Sequence, residues 1–179
     1  PWTHTFRVEA KHVSSSGETT TDKYLVGQRE RYDLSDDHYA FGLLRWEKER
    51  FSGYNHQVTS IVGEGITILD GPEHNLSLEA GPGYRFDDIT AGDHENYLLG
   101  YGAMDYRWQL SDTSKFEQQF SAEATRENVI SRSYTALTVA INASLALKLS
   151  HEIENNTNPP DESDAKTDTT TAASILYSF

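Results

Sequence analysis

Alternation is the dominant pattern along the chain. In 2–11, Trp2, His4, Phe6, Val8 and Ala10 share one parity, and Thr3, Thr5, Arg7, Glu9 and Lys11 share the other. A strand turns these sets to opposite faces, so the stretch predicts a strand with one apolar and one charged face. Strands are expected in the same way over 23–34, 38–50, 56–68, 74–85, 97–110, 115–125, 132–141, 145–154 and 167–179. In the fifth, Leu76, Leu78, Ala80, Pro82 and Tyr84 oppose Ser77, Glu79, Gly81, Gly83 and Arg85. In the sixth, Met104, Tyr106 and Trp108 oppose Asp105, Arg107 and Gln109. The seventh sets Phe116, Phe120 and Ala122 against Glu117, Gln119, Ser121 and Glu123, and the ninth sets Leu145, Leu147, Leu149 and Ile153 against Lys148, Ser150, Glu152 and Glu154. Tyr39, Phe41 and Leu43 share a side of the third strand, whereas the pattern of 56–68 assigns no facing.

The segments between strands divide into two kinds. Short turns are expected at 35–37, at Asp70-Gly71-Pro72, at 111–114 and at 142–144, where turn-forming residues cluster. Long polar loops are expected at 13–22, 86–96, 126–131 and 155–166, with an intermediate one at 51–55. Long and short connections thus alternate, and an even strand count puts both termini on the short-turn side. Outer-membrane barrels are built this way, while a soluble sandwich has no reason to sort its loops by parity.

Charge sharpens the choice. Arg7, Glu9, Glu79, Arg85, Asp105, Arg107, Glu117, Glu123, Lys148 and Glu152 all fall on the faces opposite the apolar ones. A dry core cannot hold so many charges without severe desolvation cost. An antiparallel up-and-down transmembrane β-barrel, with lipid outside and these ten residues lining a lumen, removes the difficulty. A lipocalin-like soluble domain explains the alternation but neither the charged interior nor the loop parity.

The remaining composition is consistent with this expectation. The chain has 179 residues, length for one barrel, and no apolar run approaching the roughly 18 needed for a membrane helix. It has no cysteine, which excludes disulfides and thiolate metal sites. A net charge of −13 argues against a nucleic-acid partner. Ten Tyr and three Trp suit an interface that is wet at one end and apolar at the other. Beginning at Pro1 without an initiator Met or a signal peptide, the sequence reads as a mature form or a piece of one.

The last strand carries Thr169, Thr171, Ala173, Ile175, Tyr177 and Phe179 on one parity and small, mostly polar residues on the other. In a barrel it closes the chain, running from outside to the periplasm, with Tyr177 and Phe179 at the inner interface. A C-terminal Phe so placed resembles the signal that barrel-assembly machinery recognises.

Several stretches together resemble one family, the YdiY-like salt-induced outer-membrane proteins, whose function is not established. They are Phe51-Ser52-Gly53-Tyr54, Glu79-Ala80-Gly81-Pro82-Gly83-Tyr84, Asp105-Tyr106-Arg107-Trp108-Gln109-Leu110-Ser111-Asp112, Ser144-Leu145-Ala146-Leu147-Lys148-Leu149-Ser150 and Lys166-Thr167-Asp168-Thr169-Thr170. The resemblance implies a bacterial outer-membrane location, a link to salt or osmotic stress, and no catalytic residues. Members of the family carry two more strands ahead of this point, so the ten here would be part of a twelve-stranded barrel.

Candidate chemistry is sparse. Gly81, Pro82 and Gly83 either clear space for permeation or, the favoured reading, kink the strand for a bulky inward neighbour such as an Arg or Trp46. The interior charges either line an ion path or, by pairing across mixed signs, fill the lumen as a plug. Asp87, Asp88, Asp93, His94 and Glu95, and Asp161, Glu162 and Asp164, offer hard oxygen ligands, but no EF-hand spacing accompanies them. No metal and no cofactor is expected. Expected partners are outer-membrane lipid and lipopolysaccharide, the barrel-assembly machinery and small ions in the lumen. The expected role is a narrow passive pore or a structural envelope protein. One alternative is a lipid hydrolase or acyltransferase drawing on His4, His56 or His151, each of which would need a serine and a carboxylate close by. The other is a subunit that binds a partner through 86–96 and 155–166.

Overall fold

The computed structural model describes residues 1–15, 18–49, 54–89, 94–158 and 166–177. Its regular structure consists of ten strands: β1 (Trp2–Ser15), β2 (Glu18–Asp33), β3 (His38–Glu49), β4 (Tyr54–Asp70), β5 (His74–Ile89), β6 (His94–Ser111), β7 (Ser114–Ala124), β8 (Val129–Ala140), β9 (Leu145–Asn156) and β10 (Thr167–Tyr177). Each pairs antiparallel with the next, in one up-and-down sheet ordered β1 to β10. The ladder carries no rung between β10 and β1 among the described residues. The expected all-β, up-and-down architecture is therefore what the chain adopts.

The sheet is strongly curled. Side chains on strands far apart in the ladder meet on one face: Arg29 of β2 reaches Glu79 of β5, and Arg45 of β3 reaches Glu123 of β7. That face is concave, and every residue of the expected charged set shares its parity. On β4 the concave face takes Thr59, Ile61, Gly63 and Gly65, which settles the facing that its two-sided apolar pattern concealed.

The strands differ from expectation in length. Residues 13–15 and 18–22, read as part of a long loop, extend β1 and β2. Residues 86–89 and 94–96 likewise extend β5 and β6, so most of the first acidic loop is paired strand. Connections at one end span 34–37, 71–73, 112–113 and 141–144, and at the other 16–17, 50–53, 90–93, 125–128 and 157–166. Only the last is long. The asymmetry read as loop length is instead mostly extra strand, because pairing with the neighbouring strand overrides the weak local preferences of these polar residues. Phe179 and the acidic residues 161–164 lie outside the described residues.

The short turns are fixed locally. Leu34 N–H donates to His38 O at 2.8 Å, and His38 N–H donates to Ser35 Oγ at 3.1 Å. The His38 ring and the Ser35 hydroxyl, both bonded to Asp37, hold its carboxyl below the ordinary carboxylate range. Gly71 N–H donates to His74 O at 3.0 Å, closing the turn that Asp70-Gly71-Pro72 signalled.

A dry core occupies only part of the concave face. Tyr39, Phe41, Ile61 and Leu99 are buried together, with Leu43 and Tyr101 packed against them. Close packing here depends on missing side chains. A Cβ on Gly65 would stand 2.2 Å from the Tyr39 ring, and one on Gly81 would stand 2.1 Å from Val62 O. Gly81 and Gly83 therefore let β5 lie close against β4, and Gly83 leaves room for Ile61 and Leu99. Trp46, named as a possible inward neighbour, points to the convex face instead, since it alternates with the inward Arg45 and Glu47.

Candidate functional site

The concave face carries three charged groups. The largest is centred on Glu123 of β7, which is 1 % exposed. Its carboxylate accepts from Arg45 Nη2 at 2.7 Å, from Arg85, and from Arg132 Nη1 at 3.4 Å. Arg45 also bonds Glu47 at 2.8 Å, and Arg132 bonds Glu154 at 2.7 Å. Arg85 Nε donates to Thr59 Oγ1 at 3.4 Å. The arginines Arg45, Arg85 and Arg132 are thus matched one for one by Glu47, Glu123 and Glu154. Matching of this kind is what allows buried charge to persist.

The second group joins Glu79 to Arg29 and to the Tyr39 hydroxyl, which donates at 2.8 Å. The Arg31 guanidinium lies 3.6 Å from the centre of the Tyr39 ring and bonds Asp33 at 2.7 Å. At the short-turn end Arg31, Asp36, Asp70, Asn75, Asp105 and Arg107 line an open cleft of about 200 Å³.

The third group is wetter. Glu117 lies between Lys115 at 3.5 Å and Lys148 at 3.4 Å, and the Lys148 ammonium sits 5.4 Å from the centre of the Tyr134 ring. Arg107 bonds Asp105 at 3.1 Å, and Gln119 donates to the same carboxylate at 3.0 Å. Glu152 lies opposite Tyr134 and Thr170, and the pair Arg7–Glu9, 2.9 Å apart, is solvent-exposed at the β1 end of the sheet.

Sequence reasoning did not include Arg29, Arg31, Arg45, Glu47, Arg132 and Glu154 among the site residues. Their parity matches that of the ten residues singled out, so extending the same rule along each strand finds them. Which charges meet was not readable, because Arg45 and Glu123 are brought together by the curl of the sheet rather than by adjacency.

The acidic stretch splits between the faces. Asp87 and Glu95 are cross-strand neighbours on the concave side, and Asp87 Oδ1 is buried with no hydrogen-bond partner among the described residues. Asp88 is on the convex side with His56 at 3.3 Å and His94 at 3.4 Å. No group of three or more His, Asp or Glu able to hold a metal occurs among the described residues. His4, His56 and His151 lie on β1, β4 and β9, where they bond Glu30, Asp88 and Thr171, so the fold does not bring them together.

No solved structure matches the chain. It is similar to the uncharacterized protein YdiY of Escherichia coli (strain K12), with 37% identity over 170 residues that cover 95% of this chain and 67% of that protein. Residues 1–179, charged concave face included, match the model of a family described as a protein of unknown function, DUF481, and the chain belongs to that family.

Proposed function

We propose that the chain forms the barrel of a bacterial outer-membrane protein that conducts small ions through a narrow, mostly plugged interior and has no enzymatic role. The observation that carries this is the inverted distribution of polarity. Charge gathers on the concave face, while Phe6 at 70 %, Val62 at 60 %, Leu98 at 76 % and Ile175 at 72 % exposure project from the convex one. Water penalises that surface and hydrocarbon does not. No helix is long and apolar enough to cross a membrane, so any crossing is made by strands.

Aromatic side chains mark two levels on the convex face. Near the short turns Trp2 packs on Tyr32 at 5.0 Å, and His74 lies against Trp108 at 5.5 Å. Tyr24, Trp46 and Tyr84 project at the other level. The eight-residue step from Tyr24 to Tyr32 spans about 27 Å of strand, or about 21 Å of height at a tilt near 40°, close to the ~25 Å apolar belt of such barrels. In this reading outer-membrane lipid and lipopolysaccharide surround the belt, and both termini lie in the periplasm. Tyr177 and Phe179 serve the barrel-assembly machinery in this reading, which the aromatic finish of one parity of 167–179 supports.

The interior supports a constriction rather than an open channel. The Glu123 network runs from β3 through β5, β7 and β8 to Glu154 of β9 and the dry core fills β3–β6, leaving the wetter side around Glu117, Lys148 and Glu152 as the path. Ion passage of this kind fits a role in salt or osmotic stress. In planar bilayers the protein is expected to give small conductance steps that scale with salt. Inserted protein with no step above background at any salt would remove the conduit and leave a structural envelope barrel.

A further inference from the structure

Two residues beyond Arg85 on β5, towards the long-loop end, the concave face carries a carboxylate that the Glu123 network does not use. Asp87 stands in register with Gln57 of β4 on one side and Glu95 of β6 on the other, and Gln57 is in turn opposite Glu47 of β3. Like charges directly opposite each other weaken a strand pair. Asp87 is 3 % exposed, the Gln57 amide steadies it from the β4 side, and its Oδ1 has no hydrogen-bond partner among the described residues. A buried carboxylate oxygen without a donor costs free energy, and native folds keep few of them without a ligand or a role.

The cations nearby are committed elsewhere. Arg85 bonds Glu123 and Thr59, and Arg45 bonds Glu47 and Glu123. Glu95 accepts from the Tyr97 hydroxyl and is exposed. Neither Asp87 nor Glu95 has an Arg or Lys ion pair among the described residues, in contrast to Glu47, Glu123 and Glu154. Asp87 lies past Tyr84 and so outside the apolar belt. Burial there pushes its carboxyl up to about 6, with Arg85 opposing the shift and Glu95 and Glu47 adding to it. At neutral pH it is therefore mostly ionised.

Residues paired across one rung have Cβ atoms about 5 Å apart. A calcium ion, with bonds of about 2.4 Å and no strict geometry, can take one oxygen from each carboxylate and fill its shell with the Gln57 carbonyl and water. Zinc, nickel or copper would call for imidazole. The nearest, His56 and His94, turn to the convex face with Asp88.

We propose that Asp87 and Glu95 hold a calcium ion at the long-loop end of the concave face. The site stands on the fold alone and does not depend on the membrane reading.

Calorimetry with calcium chloride and urea unfolding of the whole chain, in EDTA and in millimolar calcium, test it. At about pH 7.5 the native chain is expected to bind with a Kd on the order of 10⁻⁴–10⁻³ M and to unfold at higher urea when calcium is present. Asp87→Asn should weaken binding at least roughly tenfold and lose that gain. In EDTA the same variant should unfold at higher urea than the native chain, because the orphaned charge is gone. Glu95→Gln, at an exposed position, should also weaken binding. Asp88→Asn removes the same charge from the convex face one residue on and should bind calcium as the native chain does. At about pH 5 a proton occupies Asp87 and the calcium gain should vanish. A gain that persists in Asp87→Asn, or is lost equally in Asp88→Asn, overturns the site. Native chain that shows no gain overturns it too, and leaves Asp87 a buried acid that binds protons alone.

Discussion

On β3–β6 the inward side chains pack against one another out of water; on β7–β10 most of them stay partly exposed. Tyr39, Phe41, Thr59, Ile61, Arg85 and Leu99 are buried on the first region, while Glu123, Ile130 and Ala136 are the buried side chains of the second. The first region uses glycine to bring backbones together and bulky residues to fill the space gained. The second uses Ser121, Ser150, Ala172 and Ser174, which fill little. A single curled sheet thus carries a dry wall and a wet wall. The dry wall depends on shape, so small changes of volume are felt there. The wet wall tolerates changes of volume but responds to changes of charge.

Substitutions separate the two. The largest effect is expected from Glu123→Gln, which leaves Arg45, Arg85 and Arg132 facing one another in a buried site. Removing one partner of such a network costs about 3–5 kcal/mol, read as a fall in the midpoint of urea unfolding. Gly65→Ala drives a methyl into the Tyr39 ring and should cost about 1–3 kcal/mol. Most of that cost should return in the double variant Gly65→Ala, Tyr39→Leu, because the clash then has less to push against. On the wet wall Glu117→Gln removes an ion pair shared by two partly exposed lysines. Stability should fall by less than about 1 kcal/mol, with the difference fading at high salt. The same change leaves Lys115 and Lys148 uncompensated, so the reversal potential in a salt gradient should move towards anion preference. Phe179→Ala should change unfolding midpoint and conductance least of all. It is expected to lower the amount of assembled protein, and normal membrane levels of this variant would refute its role in assembly.

Much of this contrast was present in the sequence. The parity of Glu79, Asp105, Glu117 and Lys148 identified the concave face on the strands that carry them, since a period of two needs no knowledge of neighbours, whereas the fourth strand, apolar on both parities, gave no facing. The strand number and the up-and-down order followed from turns such as Asp70-Gly71-Pro72. What was not legible depends on distance through space. Tyr39 and Gly65 meet across the β3–β4 ladder, and Glu123 gathers arginines from three other strands, so neither could be read from one stretch. Strand ends were misjudged for a different reason. The polar residues of 86–96 are common in loops, and only their partners in the ladder make them strand.

The length of the strands has a consequence for how the molecule presents itself. β6 has 18 residues, which at about 3.4 Å each and a tilt near 40° reach a height of about 45 Å, some 20 Å more than the apolar belt requires. The surplus is paired ladder, stiff where a chain of the same composition would be supple. In the membrane reading it forms a short turret that carries its tips clear of the lipid headgroups and into the sugar layer above them. An antibody or a phage arriving from outside would meet the ends of paired strands before it met the membrane.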